Sequence, residues 1–578
     1  MPNVSRPERK EIDRALSLRQ QLTDAKLTKR QLLKELGLAS GALLALPLST
    51  SAGRALLPKV LASSDGGRAV SPPTRSFIEP LAIPPIAQPV GFLSPAPQAA
   101  PLPGEGRTAA HQRWNEFLPT QLYEVRVREA QHNFHVDLPD STIWGYDGVV
   151  PGPTFHAHYG QPVLVRRFND LPANHVGFGI PQITTHLHNG HTPSESDGFP
   201  GDFYNSGLFY DHHYPNIFAG FDAFPATQGD PREALSTLWY HDHRFDFTAQ
   251  NVYKGLGGFY LLFDSQDSGN ETDGNPQAFR LPSGDFDVPL MFNDKVFDSN
   301  GQLFFDTFNL DGILGDKFTV NGKIQPFFEV ARRKYRFRLV NGGPSRFYEF
   351  FLSNGQSFTQ ISNDGNLLPA PLVRQSVRLG VAERADIIID FSKAKIGDRI
   401  VVQNRLEQTN GRGPTGNIIT PGDSILRFDV VRDATDPSRV PATMRQLPPV
   451  NMNEVVKTRA WRFERTHGAW AVNGEFFDVN TVRANPKKGT AEIWVLQNNS
   501  GGWQHPIHIH FEEFQILSRN GAAPPPHEIA RKDVARLQFN EEIHLFMRFR
   551  DFVGRHPMHC HNLVHEDHRM MLRWDIVP

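Results

Sequence analysis

Sulfur is scarce in this chain: its 578 residues contain one cysteine, Cys560, and 8 methionines. A single cysteine excludes any disulfide within the chain, and a lone cysteine is usually a small buried apolar side chain. Neither sign of charge is in excess, because the formal net charge is −2. Such a balance gives no electrostatic basis for binding nucleic acid or an anionic membrane. No apolar run reaches the length of about 20 residues that a stable membrane span needs.

Glycine and proline, by contrast, are frequent, with 47 and 46 residues. Their number predicts many turns and few long helices. Between the turns, runs such as residues 122–127 alternate apolar and polar side chains, as half-buried β-strands do. We therefore predict an all-β protein with three Greek-key β-sandwich domains. The domains are expected over residues 115–266, 280–435 and 450–578.

The amino terminus has the layout of an export signal. Residues 36–48 form a 13-residue, largely apolar run behind basic residues, and a small-residue cleavage site follows it. Residues 28–34 resemble a bacterial twin-arginine signal, with Lys29 in the place of the first arginine. We expect residues 1–52 to direct export to the periplasm or the cell exterior; a short amphipathic helix on a cytosolic protein is the alternative. The proline-rich residues 53–114 are expected to form an extended arm or linker.

Histidine is concentrated in four short clusters along the chain. They are His186 and His188; His241 and His243; His505, His508 and His510; and His559, His561 and His565. Side chains two residues apart on a strand point to the same face, so the His-x-His pairs can present eight imidazoles to one multinuclear metal site. Cys560 lies between two histidines and must therefore point the opposite way. His505 also has the wrong parity to join the other two histidines of its cluster.

The residues of opposite parity define a second site, back to back with the first. Cys560, His505 and His565 can form it. With a weak axial thioether from Met570, two imidazoles and a thiolate are the ligand set of blue copper. The backbone of Cys560 continues into two histidines of the first site, so an electron can pass from a mononuclear copper to a copper cluster. Zinc sites are closed tetrahedra without redox chemistry, which argues against zinc.

With these residues in place, the sequence resembles the multicopper oxidases, and most of all their bacterial spore-coat laccase and fungal bilirubin oxidase branch. The resemblance covers residues 115–578 and is carried by the strings WGYDGVVPGPTF (144–155), THLHNGH (185–191), LWYHDHR (238–244), HPIHIHF (505–511) and HCHNLVHEDHRMM (559–571). It implies three cupredoxin-like domains, with a mononuclear copper in the third and a trinuclear cluster between the first and third. It also implies four copper ions, dioxygen as electron acceptor and a small-molecule reducing substrate.

The resemblance assigns a role to each ligand by its position in these motifs. The residues that match type 1 copper ligands are His505, Cys560, His565 and Met570. The residues that match type 2 ligands are His186 and His508. The residues that match the ligands of the type 3 pair are His188, His241, His243, His510, His559 and His561.

Two carboxylates, Asp197 and Glu566, match family acids near the trinuclear cluster. Because reduction of dioxygen to water needs four protons, we expect both to relay protons. The alternatives are a turn residue before Gly198 for Asp197 and a carboxylate that orients a ligand for Glu566. Trp503 lies two residues before His505, as in bilirubin oxidases. We expect it either to shape the rim of the substrate site or to pack as a buried aromatic.

Five further histidines lie near the motifs but break their parity or spacing. They are His191, His212, His213, His556 and His568. We expect them to be surface groups or groups that support the ligands, and we assign none of them to copper.

These features predict a laccase-like oxidase of phenols, aminophenols or tetrapyrroles, whose donor approaches His505 or His565. A cuprous or manganese oxidase of the same family is an alternative, although such enzymes often carry methionine-rich segments that this chain lacks. A non-catalytic copper-binding or structural cupredoxin protein is an alternative of another class, but it predicts missing ligands, and all twelve positions are filled. A copper nitrite reductase would need fewer domains and fewer histidines. We expect a monomer.

Overall fold

A computed structural model describes residues 70–578. Its strands form six larger sheets and one two-stranded ribbon, in three successive sheet pairs along the chain. The prediction of an all-β fold with three cupredoxin-like domains is confirmed. The expected export segment, residues 1–52, lies outside the described residues, as does the arm as far as residue 69. Within the described part, no helix is both long and apolar enough to cross a bilayer.

The first domain has one sheet of order β2-β1-β4-β8 and a second of order β3-β10-β9-β6. Its strands are β1 Gln121–His132, β2 Ser141–Tyr146, β3 Gly152–His158, β4 Val163–Asn169, β5 Gln182–Ile183, β6 Thr185–His188, β7 Tyr204–Asn205, β8 Phe209–Tyr214, β9 Thr237–Asp242 and β10 Gly257–Phe263. A short helix, α1 (Thr248–Lys254), connects β9 to β10. Its C-terminal neighbour, Gly255, has φ +130°, where a Cβ would come 2.6 Å from the Trp144 carbonyl oxygen.

The second domain has a sheet of order β14-β13-β11-β16-β21-β18-β19, with β12 on β11, and a sheet of order β15-β23-β22-β17-β20. Its strands are β11 Asp287–Phe297, β12 Leu303–Phe304, β13 Lys317–Val320, β14 Lys323–Ile324, β15 Phe327–Arg332, β16 Lys334–Asn341, β17 Tyr348–Leu352, β18 Phe358–Asn363, β19 Asn366–Arg374, β20 Ser376–Leu379, β21 Arg384–Asp390, β22 Arg399–Leu406 and β23 Ile418–Asp433. This domain contains none of the predicted copper ligands.

The third domain has sheets of order β25-β24-β27-β32-β29-β30 and β26-β34-β33-β28-β31. Its strands are β24 Val455–Thr466, β25 Ala469–Val472, β26 Val482–Ala484, β27 Thr490–Asn498, β28 His505–Ile509, β29 Phe514–Arg519, β30 Arg531–Lys532, β31 Val534–Leu537, β32 Glu542–Phe549, β33 Gly554–Cys560 and β34 Met571–Ile576. The single-turn helix α2 (Leu563–Asp567) joins β33 to β34.

Each sheet pair encloses its own apolar core. Trp144 and Tyr240 are fully buried in the first, Phe337 in the second and Trp494 in the third. Burial of one such side chain stabilises the folded state by about 1.5–3 kcal/mol. Cys560 belongs to the third core, so the inward face of β33 lies in apolar surroundings while its other face turns toward the first domain.

Residues 70–114 form an extended arm that lies along the domains; many of its residues are exposed, and a few, such as Leu81 and Leu93, are buried. Pro80 pairs with Phe327 of the second domain, and Val90 pairs with Leu122 of the first. Further along, the Gln112 side chain donates to a backbone oxygen of the third domain. Proline explains the extended path, because it fixes φ and cannot continue a helix. The arm therefore ties all three domains together.

Candidate metal centre

The histidine pairs lie at facing edges of the first and third domains. On antiparallel strands β6 and β9, His186 stands directly opposite His241. On antiparallel strands β28 and β33, His508 stands opposite His559, and Cys560 stands opposite Ile507. Because side chains alternate along a strand, neighbours of unlike parity face opposite sides of the sheet. With this register, the His-x-His pairs of the four strands point into one common space between the two domains.

The ring nitrogens of eight histidines converge in three buried groups. The groups are His186, His188 and His508; His188, His241 and His561; and His243, His510 and His559. Within each group the candidate ligand atoms lie within 4.8 Å of one another, and every one of these side chains is 0% exposed. The structure thus places together the two residues expected at type 2 copper, and it divides the six residues expected at type 3 copper into two triplets.

Asp197 lies against the histidines that come from both domains. Its Oδ2 accepts a hydrogen bond from Nδ1 of His510 at 2.8 Å, and its main-chain oxygen accepts one from Nδ1 of His186 at 2.6 Å. Gly198, which follows it, has φ +78°, and a Cβ there would come 2.4 Å from the carbonyl oxygen of Thr185. Glycine is therefore required for the turn that brings Asp197 onto β6.

Glu566, on helix α2, also lies beside the cluster. Its carboxylate oxygens are 3.1 Å from Nδ1 of His559 and 3.5 Å from Nδ1 of His243. Burial raises the pKa of Glu566, but the imidazoles of His559 and His243 outweigh it and hold the pKa at about 2. The carboxylate is therefore ionised, and it faces two histidines of the same triplet.

Cys560, His505 and His565 form a separate group behind the histidine cluster. The Sγ of Cys560 is 3.4 Å from Nδ1 of His505 and 3.5 Å from Nδ1 of His565. The outer Nε2 of His505 contacts Ser500 Oγ at 2.9 Å. Met570 is fully buried in the same core, and its main-chain oxygen accepts a hydrogen bond from the Cys560 N–H. The structure thus brings together the ligand atoms of three residues expected at type 1 copper and places the fourth, Met570, in the same core.

The lowered pKa values of the histidines and their ring nitrogens without hydrogen-bond partners both fit a bound metal in these groups. Burial lowers the pKa of His505 and His243 to about 3 and that of His561 well below the usual range. They are therefore neutral, as metal ligation requires. Both ring nitrogens of His561 are buried without a hydrogen-bond partner, which is costly unless a ligand or ion satisfies them. Imidazoles with one thiolate are a donor set suited to copper.

Comparison with known proteins identifies the family. Residues 448–578 match the family model described as Multicopper oxidase. The chain is 34% identical over 518 residues to the bilirubin oxidase of Albifimbria verrucaria, covering 87% of this chain and 81% of that protein. The chain belongs to the multicopper oxidases. It is also 32% identical over 514 residues to the laccase of Bacillus subtilis strain 168, covering 78% of this chain and 94% of that protein.

Solved structures of multicopper oxidases share the fold. A laccase from Pediococcus acidilactici matches with a TM-score of 0.71 at 23% identity, covering 89% of this chain and 96% of that chain. The McoA multicopper oxidase of Aquifex aeolicus matches with a TM-score of 0.67 at 25% identity, covering 80% and 97%. The protein is therefore a laccase-like multicopper oxidase, an oxidoreductase that uses copper, a reducing substrate and dioxygen.

The outer edge of the Cys560 group is covered by two tryptophans. Trp470, fully buried, has its ring 4.1 Å from that of His565 and 5.2 Å from that of Trp503. Trp503 is half-buried, and the guanidinium of Arg412 lies 4.4 Å above its ring. His505 and His565 do not approach the surface, contrary to our expectation, because both are fully buried. Trp503 is the more exposed of the two tryptophans, and the Arg412 side chain above it is 52% exposed.

None of the five remaining histidines is exposed, and one of them, His556, lies beside Asp197. His212, His213 and His556 are fully buried, and Nδ1 of His556 is 3.3 Å from Oδ2 of Asp197. His191 pairs with the Asp551 carboxylate at 2.8 Å. The five belong to none of the metal-compatible groups found among the described residues.

The sequence motifs do not point to two residues that the structure places beside the cluster. Asp533 lies 2.9 Å from Nε2 of His188, and Trp239 has its ring 4.3 Å from that of His241. Trp239 lies within the string LWYHDHR, so its proximity to a ligand was visible in principle. Asp533 follows no histidine motif, and its position depends on the pairing of β31 with β28.

Proposed function

We propose that the twelve motif residues are the copper ligands of this oxidase. The proposed type 1 ligands are His505, Cys560, His565 and Met570. The proposed type 2 ligands are His186 and His508. The proposed type 3 ligands are His188, His241 and His561 on one side and His243, His510 and His559 on the other.

The observation that carries the proposal is the back-to-back arrangement around Cys560. Its Sγ faces His505 and His565, while its two chain neighbours face the histidine cluster. Two peptide linkages therefore connect the two sites. When bound, copper supplies one-electron oxidation of the donor and the four-electron reduction of dioxygen to water. The polypeptide contributes a short covalent path between the two sites and excludes water from both of them.

We propose that Asp197 and Glu566 handle the protons of this reaction. Asp197 is fully buried; its burial raises its pKa, but His510 and His186 outweigh it and hold the pKa well below the usual range. An ionised carboxylate beside the cluster can accept a proton and pass it on. Asp197 serves His510 and His186, and Glu566 serves His559 and His243, because these are the histidines that each carboxylate contacts.

We propose that the electron donor binds on the solvent side of the Trp503 ring. Arg412 and Arg465 lie 4.4 and 5.1 Å from the Trp503 ring, and one carboxylate, that of Asp311, lies between them. A flat aromatic ring flanked by two guanidiniums favours a planar, anionic donor. Carboxylated tetrapyrroles fit this description, whereas phenols and aminophenols are planar but neutral at pH 7 and would use only the aromatic ring; a cuprous ion fits neither feature.

The test is a copper-loaded preparation assayed with three donors: bilirubin, a neutral phenol and cuprous ion. We expect an intense visible thiolate-to-copper band and oxygen uptake with the two organic donors. A protein without the band and without donor-dependent oxygen uptake would contradict the proposal. Faster oxygen uptake with cuprous ion than with either organic donor would favour a metal oxidase.

We also propose that the protein is exported through its amino-terminal signal and acts as a monomer. The support for export is the twin-arginine-like segment with an apolar run behind it. Fractionation of cells that express the full chain, compared with Arg30→Lys, tests it: the wild type should be found outside the cytoplasm and the variant inside. Light scattering of the purified protein tests the monomer.

A further inference from the structure

Asp533 lies between strands β30 and β31, in the third domain, and is 1% exposed. One end of its side chain faces the copper cluster: Oδ2 is 2.9 Å from Nε2 of His188, which belongs to the first domain. The N–H of His188 is not aimed straight at this oxygen, and neither atom has another hydrogen-bond partner among the described residues. Two buried polar atoms at this distance interact electrostatically, and a small ring rotation completes a hydrogen bond.

The contacts of Asp533 select opposite tautomers for two histidines. Its main-chain oxygen accepts a hydrogen bond from Nδ1 of His508 at 2.9 Å, which leaves Nε2 of His508 free to face Nε2 of His186 at 3.2 Å. Its carboxylate faces Nε2 of His188, which leaves Nδ1 of His188 to face His241 at 3.4 Å. The hydrogen bond at one ring nitrogen decides which nitrogen is left for a metal.

The other end of the Asp533 carboxylate is held by the second domain. Nη1 of Arg384, on strand β21, donates to Oδ1 of Asp533 at 2.8 Å. Arg384 also donates to the carbonyl oxygen of Asp364 at 2.9 Å and to that of Thr237, the first residue of β9, at 3.4 Å. Arg384 is 0% exposed, so this guanidinium connects all three domains within a region that water does not reach.

We infer that Asp533, held in place by Arg384, is a positioning residue that orients His188 and His508 and lets the second domain control the trinuclear site. The inference rests on the proposed ligand roles of these two histidines. A carboxylate that supports a metal-bound histidine raises the metal affinity about 10–100-fold. The second domain, which supplies no ligand, thereby takes part in copper retention.

The alternative is that Arg384 and Asp533 only hold the domains together. Asp386 provides a matched control on the same strand. It forms a buried pair with Arg336 and accepts a hydrogen bond from Thr237 Oγ1 at 2.8 Å, and these partners, unlike those of Asp533, are not histidines of the cluster. Asp386→Asn thus weakens the same interface without a change beside the cluster.

The experiment compares wild type, Asp533→Asn, Arg384→Gln and Asp386→Asn, each loaded with copper and dialysed against increasing chelator. Copper per chain, the visible type 1 band and the type 2 signal in electron paramagnetic resonance are measured. We expect Asp533→Asn and Arg384→Gln to lose trinuclear copper at about 10–100-fold lower chelator concentration, while the visible band persists. Asp386→Asn should keep wild-type copper and differ only in melting temperature.

Wild-type copper retention and an unchanged type 2 signal in Asp533→Asn would overturn the inference, and so would equal copper loss in Asp386→Asn. If Asp533→Asn does not accumulate as folded protein, Arg384→Lys replaces it. That variant keeps the positive charge but loses the forked donor geometry, and retention of all trinuclear copper there would overturn the inference. A wild type that binds no copper would instead refute the proposed ligand roles.

Discussion

Cys560 is the residue on which both candidate sites depend, because its side chain faces one of them and its chain neighbours face the other. The structure surrounds its Sγ with His505, His565 and an apolar core. Burial raises the pKa of the Cys560 thiol well above its usual range. A bound cation is therefore needed to hold it as a thiolate.

Replacement of this thiol tests the type 1 assignment. Cys560→Ser should abolish the visible band and donor-dependent oxygen uptake and reduce copper from four ions to three. The fold should persist, because burial of one hydroxyl costs only about 1–3 kcal/mol. Absorption spectra, copper analysis and circular dichroism measure these effects. A coloured Cys560→Ser protein would show that the thiolate is not the ligand.

A comparison of turnover with copper content distinguishes proton relay by Asp197 and Glu566 from a role in which they only orient the histidine ligands. Asp197→Asn keeps the size of the side chain, but an amide can neither bind nor release a proton at the pH of the reaction. We expect it to lower kcat by about 10²-fold while type 2 copper stays near the wild-type amount. Oxygen-electrode kinetics and copper analysis check this. Parallel losses of copper and kcat would assign Asp197 an orienting role instead.

Arg412 tests the preference for anionic donors. It is about half exposed, so its contribution is limited to about 0.2–1 kcal/mol. Arg412→Ala should therefore raise KM for bilirubin about 2–5-fold and leave KM for a neutral phenol unchanged. Steady-state kinetics at low salt measure the effect. An equal change for both donors would indicate a packing effect on Trp503.

Most of what the sequence predicts about the site comes from single residues, namely from which face of a strand each side chain occupies. The separation of Cys560 from its two neighbours follows from alternation along one strand. Asp533 and Trp470 could not be found in this way, because each contacts a histidine far away in sequence, His188 and His565. Such contacts depend on how the domains dock, and no local pattern encodes that.

Among the elements, helix α2 is unusual in supplying residues to both sites. His565 faces Cys560, and the next residue, Glu566, faces His559. The helix has a single turn and is capped by Asn562, whose side chain accepts a hydrogen bond from the Val564 N–H. A helix of five residues is too short to show apolar periodicity, so the sequence did not predict it.

Asn562 therefore controls the geometry of two residues at once. Asn562→Ala removes the cap, at a cost of about 1 kcal/mol, and also removes the 3.2 Å contact between Nδ2 and Nε2 of His565. We expect a fall in melting temperature of about 2–4 °C and a shifted visible band. Asn562→Ser is the control, because serine also caps helices: it should restore the melting temperature but not the contact with His565.

Buried ion pairs hold the domains of the whole molecule together, and the residues of these pairs are not copper ligands. Glu233, in the first domain, pairs with Arg531 at 2.6 Å and with Arg550 at 2.8 Å, both in the third. Burial raises the pKa of Glu233, but Arg550 and Arg531 outweigh it and lower the pKa to about 2. The same interface contains the histidine cluster, so its stability bears on copper retention.

The lowered pKa of Glu233 determines how the stability of the protein changes with pH. Because the folded-state pKa of Glu233 lies below its unfolded value, its stabilisation is complete above about pH 4.5 and is lost as the pH falls toward 2. A pKa difference of about 2.5 corresponds to about 3 kcal/mol. The melting temperature of Glu233→Gln should fall below that of wild type at pH 7, and the gap should narrow between pH 4.5 and pH 3. A gap independent of pH would contradict this assignment.

The arm shows why the large-scale arrangement is harder to predict than the strands. Its prolines predict an extended path, and the path is extended. Its docking onto all three domains depends on surfaces created only by folding, such as the edge at Phe327 to which Pro80 pairs. The sequence therefore predicts the three-domain fold but not the segment that fastens the domains together.

The single cysteine has a practical consequence. Cys560 is fully buried, so the folded enzyme offers no thiol to a soluble reagent, whereas each unfolded chain offers one. A cysteine introduced at the exposed Asn499, four residues before Trp503, would be the only addressable thiol on the surface. It would allow attachment to an electrode with the donor side toward the conductor, so that oxygen reduction could be driven by current instead of a dissolved donor.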